Sequence, residues 1–320
     1  MFDKMTDIKS DNVEPLVSVC IITYNSSKYI LEALDSVYCQ TYQNIELIVS
    51  DDGSKDDTVA ITEEWLKNKR DRFVDVKLLT VEHNTGTAKN CNRALRATKG
   101  ELIKSFAGDD VLFPNAIEKY VSYIKDKPEV KWVFAKVVRY NQIISDKSIM
   151  HDAFNYDNIK SVLNKSQLDQ FRKLVISNFL WYPTHFFKKS LLESIGGYDE
   201  SFGIYEDYPR SLRLYRNGEQ CYFLDDFTVG YRHTSQGVVN NSRFLVNKKI
   251  RYLAFVARKR FALDKLTWVE KFGTYLLYGL DMFFAIPFMN KRTRIRTFLR
   301  GASNVFVKRL CFFLQRWVKI

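Results

Sequence analysis

The sequence predicts an α/β protein in which a Rossmann-like nucleotide-binding sheet is flanked by helices and followed by a basic α-helical extension. Three observations predict it. Short apolar runs alternate with segments of helical period, successive runs end in polar or acidic loops, and the composition changes near Asn241. Apolar runs without polar alternation suit strands covered on both faces, as in parallel sheets. Ligands of such sheets bind beyond the carboxyl ends of the strands.

The elements follow in order. Residues 16–23 (LVSVCIIT) read as the first strand, broken by Tyr24-Asn25-Ser26-Ser27, after which Ile30, Leu31, Leu34, Val37 and Tyr38 recur at helical spacing. Residues 45–50 (IELIVS) are a second strand that runs into Asp51-Asp52-Gly53-Ser54, and Asp56-Asp57-Thr58 caps the next helix. Residues 76–80 give a third strand. A turn at Asn84-Thr85-Gly86 opens a helix with Ala88, Cys91, Ala94 and Leu95 on one side, and residues 101–106 are the fourth strand. That strand leads into Asp109-Asp110 and is stopped by Pro114, a residue suited to the first turn of the following helix. Residues 130–138 are a further strand.

From 141 to 166 periodicity disappears, which leaves two readings, a surface loop or a flap over a site. A helix over 189–195 then closes at Gly196-Gly197. Tyr205-Glu206-Asp207-Tyr208-Pro209 opens another, ended by Asn217-Gly218, and residues 222–224 and 228–231 are short strand candidates.

The 320 residues are 46% hydrophobic, enough for a sizeable core. Cys20, Cys39, Cys91, Cys221 and Cys311 are odd in number and never spaced as a metal or redox pair, which points to a reducing compartment. Asp3, Asp7, Asp11 and Glu14 among lysines leave no apolar signal segment, so a cytoplasmic protein is expected. The formal charge of +12 sits in the tail: from Asn241 onward 18 Lys/Arg face 3 Asp/Glu, while the first 240 residues hold 31 basic and 34 acidic side chains. Residues 272–289 are apolar but contain Asp281, Gly279 and Pro287, which favours a core or interfacial helix over a membrane span. In the last helix Lys308, Arg309, Gln315, Arg316 and Lys319 fall on one arc against Phe306, Leu310, Phe313, Leu314, Trp317 and Val318. Such a helix lies in a membrane surface or docks its apolar face on the rest of the protein.

Two acidic features invite chemistry. Asp109 and Asp110 repel each other and lack a basic neighbour in their loop, so a hard divalent cation is one natural partner and a solvated turn the other reading. Asp51 and Asp52 form the second, and the residues alone favour a turn and cap.

In this order and spacing, the chain resembles glycosyltransferase family 2, the large inverting family with the GT-A fold that includes bacterial polysaccharide-type sugar transferases. The resemblance covers roughly residues 15–235. It rests on Val-Ser-Val-Cys-Ile-Ile-Thr-Tyr-Asn at 17–25, Ser-Asp-Asp-Gly-Ser at 50–54, Asp109-Asp110 with Pro114 four residues on, Ile-Gly-Gly-Tyr-Asp-Glu at 195–200, and Glu206-Asp207 followed by Arg210 and Arg213.

The resemblance implies that Thr23 and Tyr24 contact the nucleotide base, with Asp52, and Asp51 beside it, accepting from a uracil imide. Lys89 is a candidate cation near the diphosphate, with a solvated helix lysine as the alternative. The family's metal motif is usually Asp-x-Asp, and here Ala107 stands where its first acid is common. That leaves Gly108 at the donor, Asp109 on a Mg or Mn ion and Asp110 in support. Asp207 matches the catalytic base. Glu206, Trp181, Arg232 and His233 are candidate substrate or diphosphate contacts, each with a structural alternative. The implied enzyme takes a UDP-sugar and glycosylates a hydroxyl, with a lipid-linked saccharide at the inner face of the plasma membrane as the acceptor that the basic tail suggests. Residues 15–240 are expected to form the GT-A domain and 241–320 a helical region in peripheral membrane contact. A nucleotide-sugar hydrolase or nucleotidyltransferase would use the same crevice without a sugar acceptor. A nucleic-acid-binding protein would use the tail, which carries no recognisable nucleic-acid fold signature.

Overall fold

A computed structural model describes residues 14–150, 156–234, 244–291 and 293–318, with the side chains of Lys308 and residues 311–318 outside the description. In chain order the first half runs β1 (Val17–Thr23), α1 (Ile30–Tyr38), β2 (Ile45–Asp51), α2 (Thr58–Lys69), β3 (Asp75–Leu79), α3 (Thr87–Ala97) and β4 (Leu102–Ala107). It continues with β5 (Val111–Leu112), α4 (Ala116–Asp126), β6 (Trp132–Asn141), α5 (Tyr156–Leu163) and α6 (Gln167–Ile176). Then come β7 (Phe186–Lys188), α7 (Lys189–Ser194), α8 (Asp207–Arg216), β8 (Tyr222–His233), α9 (Lys248–Phe261), α10 (Trp268–Phe284) and α11 (Arg294–Val318).

Eight strands form one sheet in the order β3-β2-β1-β4-β7-β6-β8-β5. Strands β1 to β4 are parallel, whereas β7 runs antiparallel to both β4 and β6. The chain moves outward from β1 through β2 to β3 and returns to β4 on the other side of β1. That reversal of strand order opens a crevice at the carboxyl ends of β1 and β4. Side chains alternate between two cores. Val17, Val19 and Ile21 face the core beneath α1, α2 and α4, while Cys20 faces the core that holds α3, α6, α7 and α8. Strand β6 divides in the same way, with Val133 and Ala135 on one side and Trp132 and Phe134 on the other.

Several elements depart from the sequence expectation. The aperiodic stretch contains a helix, α5, whose Ile159 and Val162 are buried and whose Tyr156 stacks on Phe223 at 6.0 Å. The two short strand candidates are one strand, β8, with register irregularities opposite Lys136 that accommodate the acidic pair Asp225-Asp226. Strands β5 and β7, of two and three residues, are too short to leave a periodic signal.

The C-terminal helices join the body of the protein. Ala254 and Ala257 of α9 lie in the same core as Tyr208 and Leu212 of α8. Helix α10 opens with a capping box at Thr267 and Glu270. Its Asp281 is buried and pairs with Arg300 of α11 at 2.8 Å and Arg251 of α9 at 3.6 Å. Among the described residues no helix is long and apolar enough to cross a membrane. The charged arc expected over the last helix lies largely outside the described side chains.

Candidate active site

The crevice floor is built by strand ends that tie one another together. Asn90 of α3 donates from Nδ2 to the carbonyls of Ser50 (2.9 Å) and Thr23 (3.3 Å), fixing the separation of β2 from β1. Asn25, in a left-handed conformation with φ 50°, accepts from the Lys55 N–H on its Oδ1 and donates its own N–H to Ser54 Oγ. The loop after β1 is thereby fastened to the loop after β2. Asp51 caps its own turn, accepting from the N–H groups of Gly53 (3.0 Å) and Ser54 (2.8 Å) and from Ser54 Oγ.

Asp52 is held as firmly. Its Oδ2 accepts from the backbone of Thr85 and Gly86, and its Oδ1 from Thr85 Oγ1 and the Arg93 guanidinium at 3.2 Å. The protein thus already supplies the roughly four hydrogen bonds that a carboxylate accepts. Thr23 presents a buried Oγ1 with no protein partner at the rim of the same crevice, and Tyr24 stands 45% exposed above it.

The first acidic pair follows β4. Gly108 is required there by close approach rather than by its dihedral angles, since a Cβ would lie 2.9 Å from Thr23 Oγ1. Ala107, where an acid is more usual, lines the crevice. Asp110 is buried and accepts from the Arg232 N–H at 2.8 Å. Burial, reinforced by the charge of Asp109, pushes its carboxyl well above the ordinary range, and burial also raises Asp109. Arg232 itself is spent on structure: it donates to the carbonyls of Asp109 (2.8 Å) and Gln142, pairs with Glu32 at 2.7 Å, and lies over the Tyr29 ring. Its guanidinium clamps the loop that carries the acids through backbone carbonyls and makes no hydrogen bond to their side-chain oxygens.

The second pair, Glu206-Asp207, opens α8. Asp207 Oδ1 forms an ion pair with Arg210 at 2.9 Å, one helical turn on. Burial raises the Asp207 carboxyl and Arg210 holds it down, whereas Glu206 is pushed up to about 8 by burial and by Asp207. Arg210 is 2% exposed, over the face of Phe187, with one arm donating to Tyr198 Oη (3.0 Å) and another at His185 Nδ1 (2.9 Å). Trp132 Nε1 also points at Nδ1, at 3.4 Å. Burial, with the nearby Arg210 and Lys104 charges, holds the His185 imidazole well below its usual pKa, and the two donors at Nδ1 suit that neutral form. Lys104 is fully buried on β4, where burial brings its ammonium down to about 7; it donates to the carbonyls of Ser105, Pro183 and His185 and so anchors the turn before β7.

These parts share one groove of about 1870 Å³. Thr23, Tyr24, Asp52, Gly108, Asp109, Asp110, Trp181, Glu206, Asp207 and His233 all line it. Asp51, Lys89 and Arg232 are not in the lining: Asp51 faces its turn, Lys89 is exposed on α3, and Arg232 lies behind the acidic loop. The sequence reading named Arg210 only as part of a motif and gave no role to Arg93, His185 or Lys104; Arg210 and His185 line the groove, while Arg93 and Lys104 support it through Asp52 and the turn before β7. For Arg210 a signal existed in its spacing of three from Asp207 within a helix. The other three depend on contacts between distant segments.

A family profile described as Glycosyl transferase family 2 matches residues 18–196. An uncharacterised glycosyltransferase of Rickettsia typhi is 32% identical over 215 residues, which cover 65% of this chain and 61% of that one. The matched chain thus spans less than two thirds of that relative. Among solved structures, S. aureus TarS 1-349 in complex with UDP-GlcNAc superposes with a TM-score of 0.57 at 18% identity, covering 94% of this chain and 92% of that one. The mannosyltransferase PcManGT of Pyrobaculum calidifontis, in complex with GDP-Man and Mn2+, gives 0.54 at 17% identity over 94% and 88%. The structures share the GT-A fold, and the profile match extends over more than half of the sequence: the chain belongs to glycosyl transferase family 2.

Proposed function

We propose that this glycosyltransferase transfers a sugar from UDP to an acceptor hydroxyl with inversion, using Asp207 as the base. The observation that carries the reading is the position of Asp207. It lines the groove that Asp109 and Asp110 also line, and its buried Arg210 partner holds it in one orientation. In the reaction the acceptor oxygen forms a bond to the anomeric carbon as the bond from that carbon to the UDP oxygen breaks. The hydroxyl proton passes to the Asp207 carboxylate, and UDP leaves with the bonding electron pair. A single displacement inverts the anomeric centre, and a positioned base contributes roughly 10²- to 10⁴-fold.

The nucleotide would lie against Thr23, Tyr24 and the Asp52 loop. TarS is solved with UDP-GlcNAc, which supports a UDP-sugar here, and PcManGT with Mn2+ supports a divalent metal. Asp109 and Asp110 fit such an ion: they are adjacent carboxylates in a mostly buried loop, with the Arg232 guanidinium directed away from their side chains. Mg or Mn held there would neutralise the departing diphosphate. Among the described residues no three metal-binding side chains converge, so the other ligands would be diphosphate and water oxygens.

We read residues 15–240 as the GT-A domain and 241–320 as a helical region in peripheral contact with the inner face of the plasma membrane, where a lipid-linked saccharide in surface-polysaccharide synthesis is the acceptor. Exposed Trp268, Phe272 and Tyr275 of α10 and Phe298 and Phe306 of α11, in a strongly basic segment, support that contact. Vesicle flotation checks it: Phe272→Glu with Phe298→Glu releases the protein from anionic vesicles, and unchanged flotation rejects the surface. The transfer reaction is tested with a panel of UDP-sugars and a synthetic lipid-diphosphate saccharide. Asp207→Asn loses at least about 10²-fold in rate. A near wild-type rate would remove Asp207 from the mechanism.

A further inference from the structure

The groove has a second charged wall, built by the C-terminal helices rather than by the sheet. Arg251 and Arg258 of α9, Asp281 of α10 and Asn304 of α11 all line it. The two arginines are seven residues apart, so they sit on one face of α9, about 10 Å apart along its axis. Arg258 reaches the catalytic end directly, its Nε donating at 3.0 Å to the hydroxyl of Tyr208, the residue after Asp207.

The charge on this wall does not balance. Three guanidinium groups, Arg251, Arg258 and Arg300, surround the single carboxylate of Asp281. Arg300 holds its Oδ1 at 2.8 Å, and Arg251 approaches Oδ2 only to 3.6 Å. The terminal nitrogens of Arg258 have no acceptor among the described residues. Both Arg251 and Arg258 are only partly buried and line the groove, and the planar N–H fork of arginine matches the oxygens of a phosphoryl group. The acids that suit a metal on the donor's diphosphate line the same groove from another element, the end of β4.

We propose that Arg251 and Arg258 form an anion subsite for a phosphoryl group of the acceptor, placing it beside Asp207. The subsite rests on the transferase reading in one respect: it assigns this wall to the acceptor and the Asp109 side to the donor. It also gives the C-terminal helices a role inside the groove, with their aromatic side chains exposed elsewhere on the same helices.

The test is a binding experiment on the full chain with the donor side filled by saturating UDP and Mn2+. Citronellyl phosphate is titrated, with citronellol as the uncharged control for its tail. The wild type binds the phosphate at least about tenfold more tightly than the alcohol. Arg251→Gln and Arg258→Gln each lose most of that margin while their UDP affinity stays within about twofold of wild type. Arg251 is 42% exposed in its side chain, so its variant stays interpretable if Arg258→Gln fails to fold. Three results would overturn the subsite: no preference for phosphate in the wild type, an intact preference in a folded Arg251→Gln, or a matching loss of UDP affinity that assigns the arginines to the donor. Since no turnover is read, failure of the transfer assay leaves this result independent.

Discussion

The protein carries two pairs of adjacent carboxylates in one groove, and their surroundings differ in kind. Asp109-Asp110 is held from behind, by the Arg232 backbone and by a guanidinium that grips the loop's carbonyl while pairing its charge with Glu32. Glu206-Asp207 is held from the side, with a buried guanidinium directly on the Asp207 carboxylate. Burial raises all four acids, but only Asp207 has a hydrogen-bonded cation pulling it back. A pair without a direct counter-charge suits a cation brought by the substrate. A carboxylate with a permanent one is held in one orientation, and Arg210 offsets part of the rise that burial imposes on it, as suits a base.

Three substitutions test that contrast. The largest effect is expected from Arg210→Met, which leaves the base without its partner. Because Arg210 lowers the Asp207 pKa, its loss raises it. The acidic limb of kcat/KM against pH therefore moves to higher pH, and kcat falls by about tenfold at neutral pH. An unmoved limb would show that Arg210 serves folding alone. Gly108→Ala comes next. Its Cβ would meet Thr23 Oγ1 at 2.9 Å and Thr23 Cβ at 3.1 Å, and overpacking of this kind costs about 1–3 kcal/mol. Metal-dependent UDP affinity is expected to fall severalfold, with Asp207-dependent proton transfer unaffected once UDP saturates.

The smallest effect is on stability, with Glu206→Gln. Glu206 is pushed up to about 8 in the folded protein against an ordinary value of 4.5, so the native state keeps a proton that the unfolded chain releases. The stability contributed by that proton is complete below pH 4.5 and is lost as pH rises through 8. Thermal melts should find the glutamine variant level with wild type at pH 4 and increasingly ahead of it toward pH 8. An advantage that did not grow with pH would contradict the raised value.

The sheet could be read from the sequence where burial on both faces wrote unbroken apolar runs, as in β1, β2, β4 and β6. Helix α5 escaped notice because only Ile159 and Val162 are buried among its eight residues. Asp109-Asp110 could be found as two acids at a strand end and Glu206-Asp207 through the order of the family's motifs; adjacency alone marks neither, since the sequence also carries Asp51-Asp52, Asp56-Asp57 and Asp225-Asp226. What surrounds the two site pairs could not be found. Arg232 lies 123 residues from Asp109, and His185 lies 25 from Arg210, so these contacts exist only once the chain has folded. The same limit applies to Asp52: its sequence suits a ligand contact, and the fold surrounds its oxygens with Thr85, Gly86 and Arg93. The tail's basic charge was plain in composition, while its division into a groove wall at Arg251 and Arg258 and an exposed aromatic surface appears only in three dimensions.

The division of labour between the two pairs is tested most directly by titrating UDP in the presence of Mn2+ into Asp109→Asn and Asp207→Asn side by side. Asp109→Asn should bind at least about tenfold more weakly than wild type, and Asp207→Asn should bind within about twofold of it. Equal losses in the two variants, or a loss confined to Asp207→Asn, would contradict the account.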